Sequence, residues 1–342
     1  MNSKIVKAAP IEIDWHQGLS IYASEAFLKT ISNEYGWIGG MDKHGNVLCV
    51  LPYSLIRRSI FRLVRFPVET ILIQPDLTID EERVFLNCAM QYFRSIRADL
   101  VMPATFNTVF RTFPEGACAA PFGSYVLSLA QSEENLWDNV HSKHRNSIRS
   151  AQKRGVTIHT GFEHLPTAYR LTRASFIRSA RGTLGKARQY LRNDFEGFKR
   201  QVTSLEGNAV VFVAKLGDET QGAAVMHFSE HSAYYMHGGS IDKTVPGAQN
   251  LLQWEAILYF KRLGVQYYDF VGARISPEKG SKIEGIMNFK KRFGGTLVQG
   301  YMWKYPFHDF RYSLYNLAAR LRSSGDVVDQ ERHKLTDNMS VA

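Results

Sequence analysis

Residues 288–295, with the sequence NFKKRFGG, combine side chains that belong in different environments. Lys290, Lys291 and Arg292 are three consecutive cations, and Phe289 and Phe293 lie on either side of them. Fixed cations bind phosphates or stabilise negative charge that develops during a reaction, and an aromatic ring offers a stacking face. A solvated loop would explain the charges but not the rings, and a core segment would explain the rings but not the charges. The segment is therefore a candidate site.

The positive charge of the chain is concentrated in one region. The 342 residues have a formal net charge of +10, and residues 141–200 contain 14 Lys and Arg against three acidic residues. Such a concentration indicates an anionic partner, which would be a phosphate group, a nucleic acid or a membrane surface. A basic surface that serves only solubility is the alternative.

Part of this charge falls on residues 132–155, which are predicted to form one helix. His141, Arg145, Arg149 and Lys153 recur every four residues, so they would form a stripe along one side of it. Like charges at this spacing repel one another, and a bound polyanion would relieve the repulsion. A solvated helix face is the alternative interpretation.

The two halves of the chain show a similar order of predicted elements. Each half begins with strands joined by short turns, continues with a helix of apolar spacing and ends with further strands. The helix of the second half ends at Gly264, since glycine is the preferred residue just past a helix end. The pattern predicts an α/β (α+β) fold of two similar modules, each a mixed twisted sheet flanked by helices.

Composition excludes several classes of protein. No apolar run approaches the ~20 residues of a membrane span, and the first residues lack the apolar core of a signal peptide. Cys49, Cys88 and Cys118 are far apart and lie in apolar sequence, which is neither a disulfide framework nor a metal-binding spacing. The histidines show no metal pattern either. We expect a cytoplasmic protein without a metal ion.

Three segments of the sequence together resemble the FemABX family. They are LWDNVHSKHRNSIRSAQKRGVTI, YYDFVGA and FKKRFGG, and the resemblance extends from about residue 125 to residue 306. Members of this family are aminoacyltransferases that build peptidoglycan side bridges from aminoacyl-tRNA. Their fold is a tandem of two acetyltransferase-like (GNAT) modules, so the resemblance implies the same duplication that the element order predicts.

The resemblance also implies roles for individual residues. The Phe-Lys pair of the family's last loop lies at its acyl-transfer site and matches Phe289 and Lys290, so Lys290 would stabilise the tetrahedral oxyanion. Phe289 would offer a wall to the acyl group or a stacking face to the terminal adenine of tRNA. Lys291 and Arg292 would contact phosphates. Asp269 matches a further position of the family. Its role there would be either to position the end of the strand or to act as a catalytic base.

Other candidate binding residues come from weaker patterns. Gly247 and Ala248 open the second-module helix at the position where GNAT enzymes hold the pyrophosphate of acetyl-CoA, and they would leave amides free for a phosphate. The glycine pattern of acetyltransferases is incomplete there, which disfavours CoA. Tyr234 and Tyr235 alternate on a strand, and Tyr235 is taken as the one that faces the cleft.

A basic segment between the modules is a further candidate. RSARGTLGKARQYL is mobile by composition, and Arg181, Arg188 and Tyr190 within it are expected to grip a phosphorylated acceptor. A solvated loop is the alternative.

The predicted C-terminal helix is amphipathic. Its apolar residues are Phe310, Leu314, Leu317, Ala318 and Leu321. Packing of this face against the domain is the expected arrangement, and a basic helix on a membrane surface is the alternative.

These observations lead to one leading hypothesis and two alternatives. The leading one is a transferase that moves an aminoacyl group from aminoacyl-tRNA, as co-substrate, to an amine of a peptidoglycan precursor or a phosphorylated or peptide acceptor. The first alternative is an acyl-CoA-dependent N-acyltransferase acting on an amino sugar, and the second is a non-catalytic nucleic-acid or membrane binding module. The expected units are residues 1–155, residues 156–310 and a C-terminal helix with a polar tail, residues 311–342. Contact with the inner face of the membrane is a further expectation.

Overall fold

The structure is a computed structural model that describes residues 3–179, 194–205, 207–320 and 326–340, with the backbone alone at 179, 318–320 and 335–340. Within these ranges, thirteen strands form one sheet: β1 (Lys7–Ile11), β2 (Glu34–Met41), β3 (Val47–Arg58), β4 (Phe61–Arg65), β5 (Ile71–Leu72), β6 (Leu100–Val101), β7 (Cys118–Ser128), β8 (Val156–Thr160), β9 (Ala209–Leu216), β10 (Glu219–Phe228), β11 (Ser232–Ser240), β12 (Tyr267–Asp269) and β13 (Thr296–Pro306).

Helices flank this sheet. Those in the described ranges are α1 (Glu25–Ile31), α2 (Ile79–Ser95), α3 (Glu133–Asn139), α4 (Ser142–Lys153), α5 (Leu165–Ser179), α6 (Phe195–Thr203), α7 (Ala248–Arg262), α8 (Lys282–Lys291), α9 (Asp309–Arg320) and α10 (Val327–Ser340). In these ranges no helix is long and apolar enough to cross a membrane.

The order of the strands shows how the two halves are joined. Along the sheet it is β1-β2-β3-β4-β6-β13-β7-β12-β11-β10-β9-β8, with β5 beside β3. The last strand, β13, therefore lies between β6 and β7. It pairs with β7 from Thr296 to Lys304 and with β6 at Tyr305 and Pro306. The predicted α/β fold is confirmed. The boundaries at residues 155 and 310 stay predictions.

Three large hydrophobic cores support the sheet. One lies under α4 and α7, a second under α2, and a third joins α1 and α5 to the opposite face of β9–β11. The third core brings Tyr22 from the first half against Tyr234 of β11, with ring centroids 4.7 Å apart. The two halves are thus packed together as well as paired through their strands.

Two sequence expectations about local structure are wrong. Residues 132–155 form two helices instead of one, because the chain is extended at Val140 and His141 becomes the N-cap of α4. The amide of His141 donates to the carbonyl of Arg292, 2.8 Å away, so a contact distant in sequence causes the break. The NFKKRFGG segment is also not a loop throughout, since α8 continues to Lys291.

Candidate active site

The end of β12 forms a tight turn that is held by Asp269. The amide of Val271 donates to Oδ1 of Asp269 at 2.6 Å, and the hydroxyl of Ser124 on β7 donates to the same oxygen. Val271 has a φ of 54° and Gly272 a φ of 70°, so two consecutive residues are left-handed. A β-branched residue seldom adopts this conformation, and such strain concentrates at functional sites.

Lys290 reaches this turn from the last turn of α8. Its ammonium donates to the carbonyl of Val271 and to the carbonyl of Gly272, the latter at 2.6 Å. The side chain is 8% exposed. An ammonium carries three N–H donors, so these two bonds leave one N–H that the two carbonyls do not use. Lys290 and Asp269, which the sequence named separately as candidates, thus contact the same turn.

The protonation equilibria of this pair are perturbed by burial. Burial lowers the pKa of Lys290 to about 8, although the negative charge of Asp269 opposes the change. Burial raises the pKa of Asp269 to about 6, and hydrogen bonds from Ser124 and Val271 and the charge of Lys290 oppose it. Perturbed groups of opposite sign at one strand end mark a candidate for acid–base chemistry near neutral pH.

A third perturbed group, Glu69, comes from the first half of the chain. It follows β4, it is half-buried, and its Oε2 accepts the amide of Val109 at 3.4 Å. Burial, and to a smaller extent the negative charge of Asp269, raises the pKa of Glu69 to about 7. Burial and the charge of Glu69 also raise the pKa of Tyr234, whose hydroxyl lies 2.9 Å from that of Ser20. The site therefore combines residues from both halves.

The aromatic rings of NFKKRFGG have different environments. Phe293 is fully buried and stacks on Phe270 with centroids 5.4 Å apart, whereas Phe289 is half-buried beside it. His144 of α4 packs on both rings and its Nε2 lies 3.0 Å from the carbonyl of Phe289. A carbonyl only accepts, so Nε2 carries the proton, and burial lowers the pKa of this histidine. Phe293 is thus a core residue, and Phe289 packs at the edge of that core.

The three cations are likewise separated by their surroundings. Lys290 is buried, Lys291 is exposed, and Arg292 is half-exposed. A helix explains the difference, because consecutive side chains point about 100° apart around its axis. Of the three cations, only Lys290 therefore faces the turn after β12. Lys291 points to solvent and stays a candidate for contact with a phosphate group of a substrate.

The stripe on α4 is only partly free for a ligand. Arg145 donates to the carbonyl of Asp138 at 2.8 Å and so caps the end of α3. The guanidinium of Arg149 lies 5.3 Å from the ring centre of Trp137, and both Arg149 and Lys153 are exposed. Arg145, Arg149 and Lys153 lie on α4, and His141 is its N-cap. Arg145 has a structural partner that its spacing did not reveal.

The start of α7 does not have the predicted form. The amide of Ala248 donates to the carbonyl of Val245 at 3.1 Å, and Ala248 is 1% exposed. Gly247 lies against α4, where a Cβ at its position would be 2.0 Å from the carbonyl oxygen of Ser147. The expectation of free amides at both residues is therefore wrong for Ala248, because α4 covers this helix end.

The remaining predicted site residues lie elsewhere. Tyr235 packs against the core under α4 and α7, while its neighbour Tyr234 faces the core shared by both halves. Burial raises the pKa of Tyr235 to about 12. Arg181, Arg188 and Tyr190 lie outside the described residues.

Sequence reasoning missed two residues of the site. Ser124 lies within a strand, and nothing in its local sequence distinguishes it. Glu69 is the single acidic residue in the apolar stretch FPVETILI, and a carboxylate in such a stretch could have been noticed as costly to bury. No group of three or more potential metal ligands converges within the described ranges.

Comparisons with known proteins agree with this fold. Residues 139–291 match the family model Acetyltransf_6, described as an acetyltransferase (GNAT) domain. The crystal structure of FemX superposes with a TM-score of 0.62 at 16% identity, covering 87% of this chain and 95% of that one.

A second solved structure has a lower similarity. It is the C-terminal domain (DUF2156) of a putative lysylphosphatidylglycerol synthetase from Agrobacterium fabrum, with a TM-score of 0.51, 12% identity and coverage of 88% and 93%. Among curated proteins, none matches this sequence significantly. Residues 139–291 thus match a GNAT domain model, and the chain is similar in fold to FemX over most of its length, as the FemABX resemblance predicted.

Proposed function

We propose that this protein transfers an aminoacyl group from aminoacyl-tRNA to an amine of a cell-envelope precursor or a small peptide. The observation that carries the proposal is the ammonium of Lys290, which is buried at the end of β12 beside Asp269 and retains one unused N–H. A preorganised donor in a site of this kind stabilises an oxyanion without reorganisation.

The reaction requires two proton movements that the site residues fit. The amine nitrogen attacks the carbon of the ester carbonyl. The oxygen of that carbonyl becomes negative and accepts a hydrogen bond from the remaining N–H of Lys290. A carboxylate takes a proton from the amine, and the carboxylic acid so formed gives this proton to the ribose oxygen as the C–O bond to the tRNA ribose breaks. Asp269 and Glu69 have pKa values of about 6 and about 7, which suit a base near neutral pH.

Two features support tRNA as the donor. The chain is similar in fold to FemX over most of its length, and Arg149, Lys153 and Lys291 are exposed cations on neighbouring helices. Phosphates of a polyanion would neutralise such charges. A phosphorylated or peptide acceptor would then occupy the side of the cleft formed by Glu69.

A second candidate is an N-acyltransferase that uses acyl-CoA. The match to the acetyltransferase (GNAT) domain model favours it. The burial of Ala248 and the packing of Gly247 on α4 disfavour it, because the usual pyrophosphate position is covered.

The donor can be identified by consumption in a single turnover. The purified protein is mixed with a pool of charged tRNA or with acetyl-CoA, in the presence of an amino-sugar or peptide amine, and loss of each donor is followed. We expect amine-dependent deacylation of tRNA and no release of CoA. CoA release alone would replace the first candidate by the second, and loss of neither donor would favour a binding module without catalysis.

A further inference from the structure

Helix α9 (Asp309–Arg320) is attached to the body of the protein through one face. Tyr312 and Tyr315 pack against a small core around β6, and Arg311 forms an ion pair with the buried Asp99. The ring of Tyr315 lies 5.6 Å from that of Phe61 on β4. The helix is therefore anchored by aromatic rings and one ion pair.

The opposite face of α9 carries large apolar side chains. Phe310 is 82% exposed, Leu314 is 41% exposed and Leu317 is 57% exposed. Steps of four and three residues place these side chains within about 60° of one another on an α-helix, and the two tyrosines point away from them. For Phe310, Leu314 and Leu317 the expectation that this face packs against the domain is wrong, because the tyrosines occupy the buried side instead. Leu321 and the side chain of Ala318 lie outside the described residues.

Cations surround the apolar face. Arg94 and Arg97, at the end of α2, and His308 are exposed and line a shallow depression together with Phe310. The adjoining turn between β3 and β4 presents Arg58 and Ile60, and Ile60 is 63% exposed. Of the acidic groups in this part of the described chain, Asp99 is paired with Arg311, Glu34 is paired with Arg57 and Arg62, and Asp309 is exposed at the helix start.

We propose that the outer face of α9 binds the surface of an anionic membrane. An amphipathic helix of this type lies in the interface plane, with its apolar side chains among the acyl chains and its cations at the lipid headgroups. Each cation near such a surface contributes about 1 kcal/mol, which is about fivefold in binding. The exposed arginines beside the apolar face have the charge that anionic headgroups complement.

The same charge disfavours a second copy of the chain as the occupant. A two-fold interface would place each patch against its own copy, so that Arg94 and Arg97 of both copies would lie in one contact. Like charges that meet in this way are unfavourable. Three protruding side chains are also few for a stable dimer, since such an interface has ~20–30 residues on each side.

This surface is separate from the candidate active site. β4 and β6 are parallel neighbours, and α9 contacts their beginnings at Phe61 and Asp99. Glu69 follows the other end of β4. Contact with a membrane through α9 would therefore leave Glu69 uncovered. Substitutions on α9 can be made without changing the candidate active site.

Flotation with lipid vesicles tests the proposal on the full chain. Vesicles of phosphatidylcholine with phosphatidylglycerol in equal parts are compared with pure phosphatidylcholine vesicles at low salt. We expect binding to the anionic vesicles alone. The combined change Phe310→Ser, Leu314→Ser and Leu317→Ser should weaken this binding at least tenfold, and Arg94→Gln with Arg97→Gln should weaken it about 25-fold.

Matched controls separate membrane contact from misfolding and self-association. Ile73→Ser removes an apolar side chain that is 53% exposed elsewhere and should leave flotation unchanged, and all variants should show the circular dichroism of the unmodified protein. If the unmodified protein does not float with anionic vesicles, or the serine variant floats equally well, the proposal is wrong. A dimer in sedimentation equilibrium that the serine changes abolish would also overturn it, in favour of an interface between copies.

Discussion

Asp269 and Lys290 hold the same residue, Val271, from its two sides. The carboxylate accepts the amide of Val271 and the ammonium donates to its carbonyl. The left-handed conformation of Val271 is thus stabilised by a pair of opposite charges that are themselves buried. The arrangement fixes the position of both charges, which is what a preorganised electrostatic site requires.

The first prediction concerns removal of the ammonium. Lys290→Met should slow single-turnover transfer by about 10²–10³, the scale observed when one oxyanion donor is removed. Lys290→Arg should recover little, because a planar guanidinium does not fit where a compact ammonium contacts two carbonyls. Rapid-quench measurement of transfer isolates chemistry from association.

Lys291→Met is the matched control, because Lys291 is the exposed neighbour on the same helix. It should change donor binding and leave the single-turnover rate at saturation unaltered. Transfer at the normal rate by Lys290→Met would leave Lys290 with only the structural role of holding the turn.

The second prediction concerns pH. Activity should increase as the carboxylates lose their protons between about pH 6 and 7, and decrease above about pH 8 as Lys290 loses its proton. Asp269→Asn removes a negative charge that raises the pKa of Glu69 and supports the charged form of Lys290. Both limbs of the profile of kcat/KM should therefore move to lower pH, together with a loss of rate.

Asp218→Asn serves as the control for this profile, since Asp218 lies in an exposed turn between β9 and β10. Both limbs should stay in place for that variant. If the pH profile of kcat/KM for Asp269→Asn coincides, after scaling, with the profile of the unmodified protein, Asp269 does not influence the titrating groups.

The third prediction concerns the exposed cations of α4. Arg149→Gln with Lys153→Gln should reduce the slope of log K against log salt for tRNA binding by roughly 1.4–1.8, since each phosphate contact contributes ~0.7–0.9. Arg145 is left intact because it caps α3. Lys43→Gln, in an exposed turn of the first half, should not alter the slope, and an unchanged slope in the double variant would assign α4 to a solvated face.

The fourth prediction concerns the contact between α4 and α7. Gly247 and Gly264 both have positive φ, 88° and 79°, but only Gly247 has a neighbouring backbone, at Ser147, in the space of a Cβ. Gly264→Ala should lower the free energy of unfolding by about 1–2 kcal/mol. Gly247→Ala should lower it by about 1–3 kcal/mol more, because the helices must move apart. Urea unfolding measures both free energies. Equal losses in the two variants would mean that α4 and α7 can move apart at this contact without a loss of stability.

The sequence carried much information about the second module and less about the site. The meander of β9–β11 and the helix α7 ending before Gly264 follow from local patterns of strand alternation, turn residues and a C-terminal glycine. Lys290 could be found by its family position. Glu69 could be noticed only as a carboxylate in apolar sequence, because its proximity to Asp269 depends on contacts between residues 200 positions apart.

Helix amphipathicity was the least dependable signal. The apolar pattern of Phe310, Leu314 and Leu317 predicted a buried face, yet Tyr312 and Tyr315 occupy that position. Both faces of α9 carry rings or aliphatic chains, so periodicity alone does not decide between them. The choice depends on the shape of the surface under the helix, and on the ion pair between Arg311 and Asp99.

The position of β13 has a consequence for how the protein forms during synthesis. This strand is made after nearly 300 residues, yet it fills the place between β6 and β7 and so completes the sheet of the first half. Until it emerges from the ribosome, the neighbouring edges of β6 and β7 have no strand between them. We therefore expect nascent chains that stop before residue 296 to remain sensitive to protease over the first half, and the chain to become resistant in one late step.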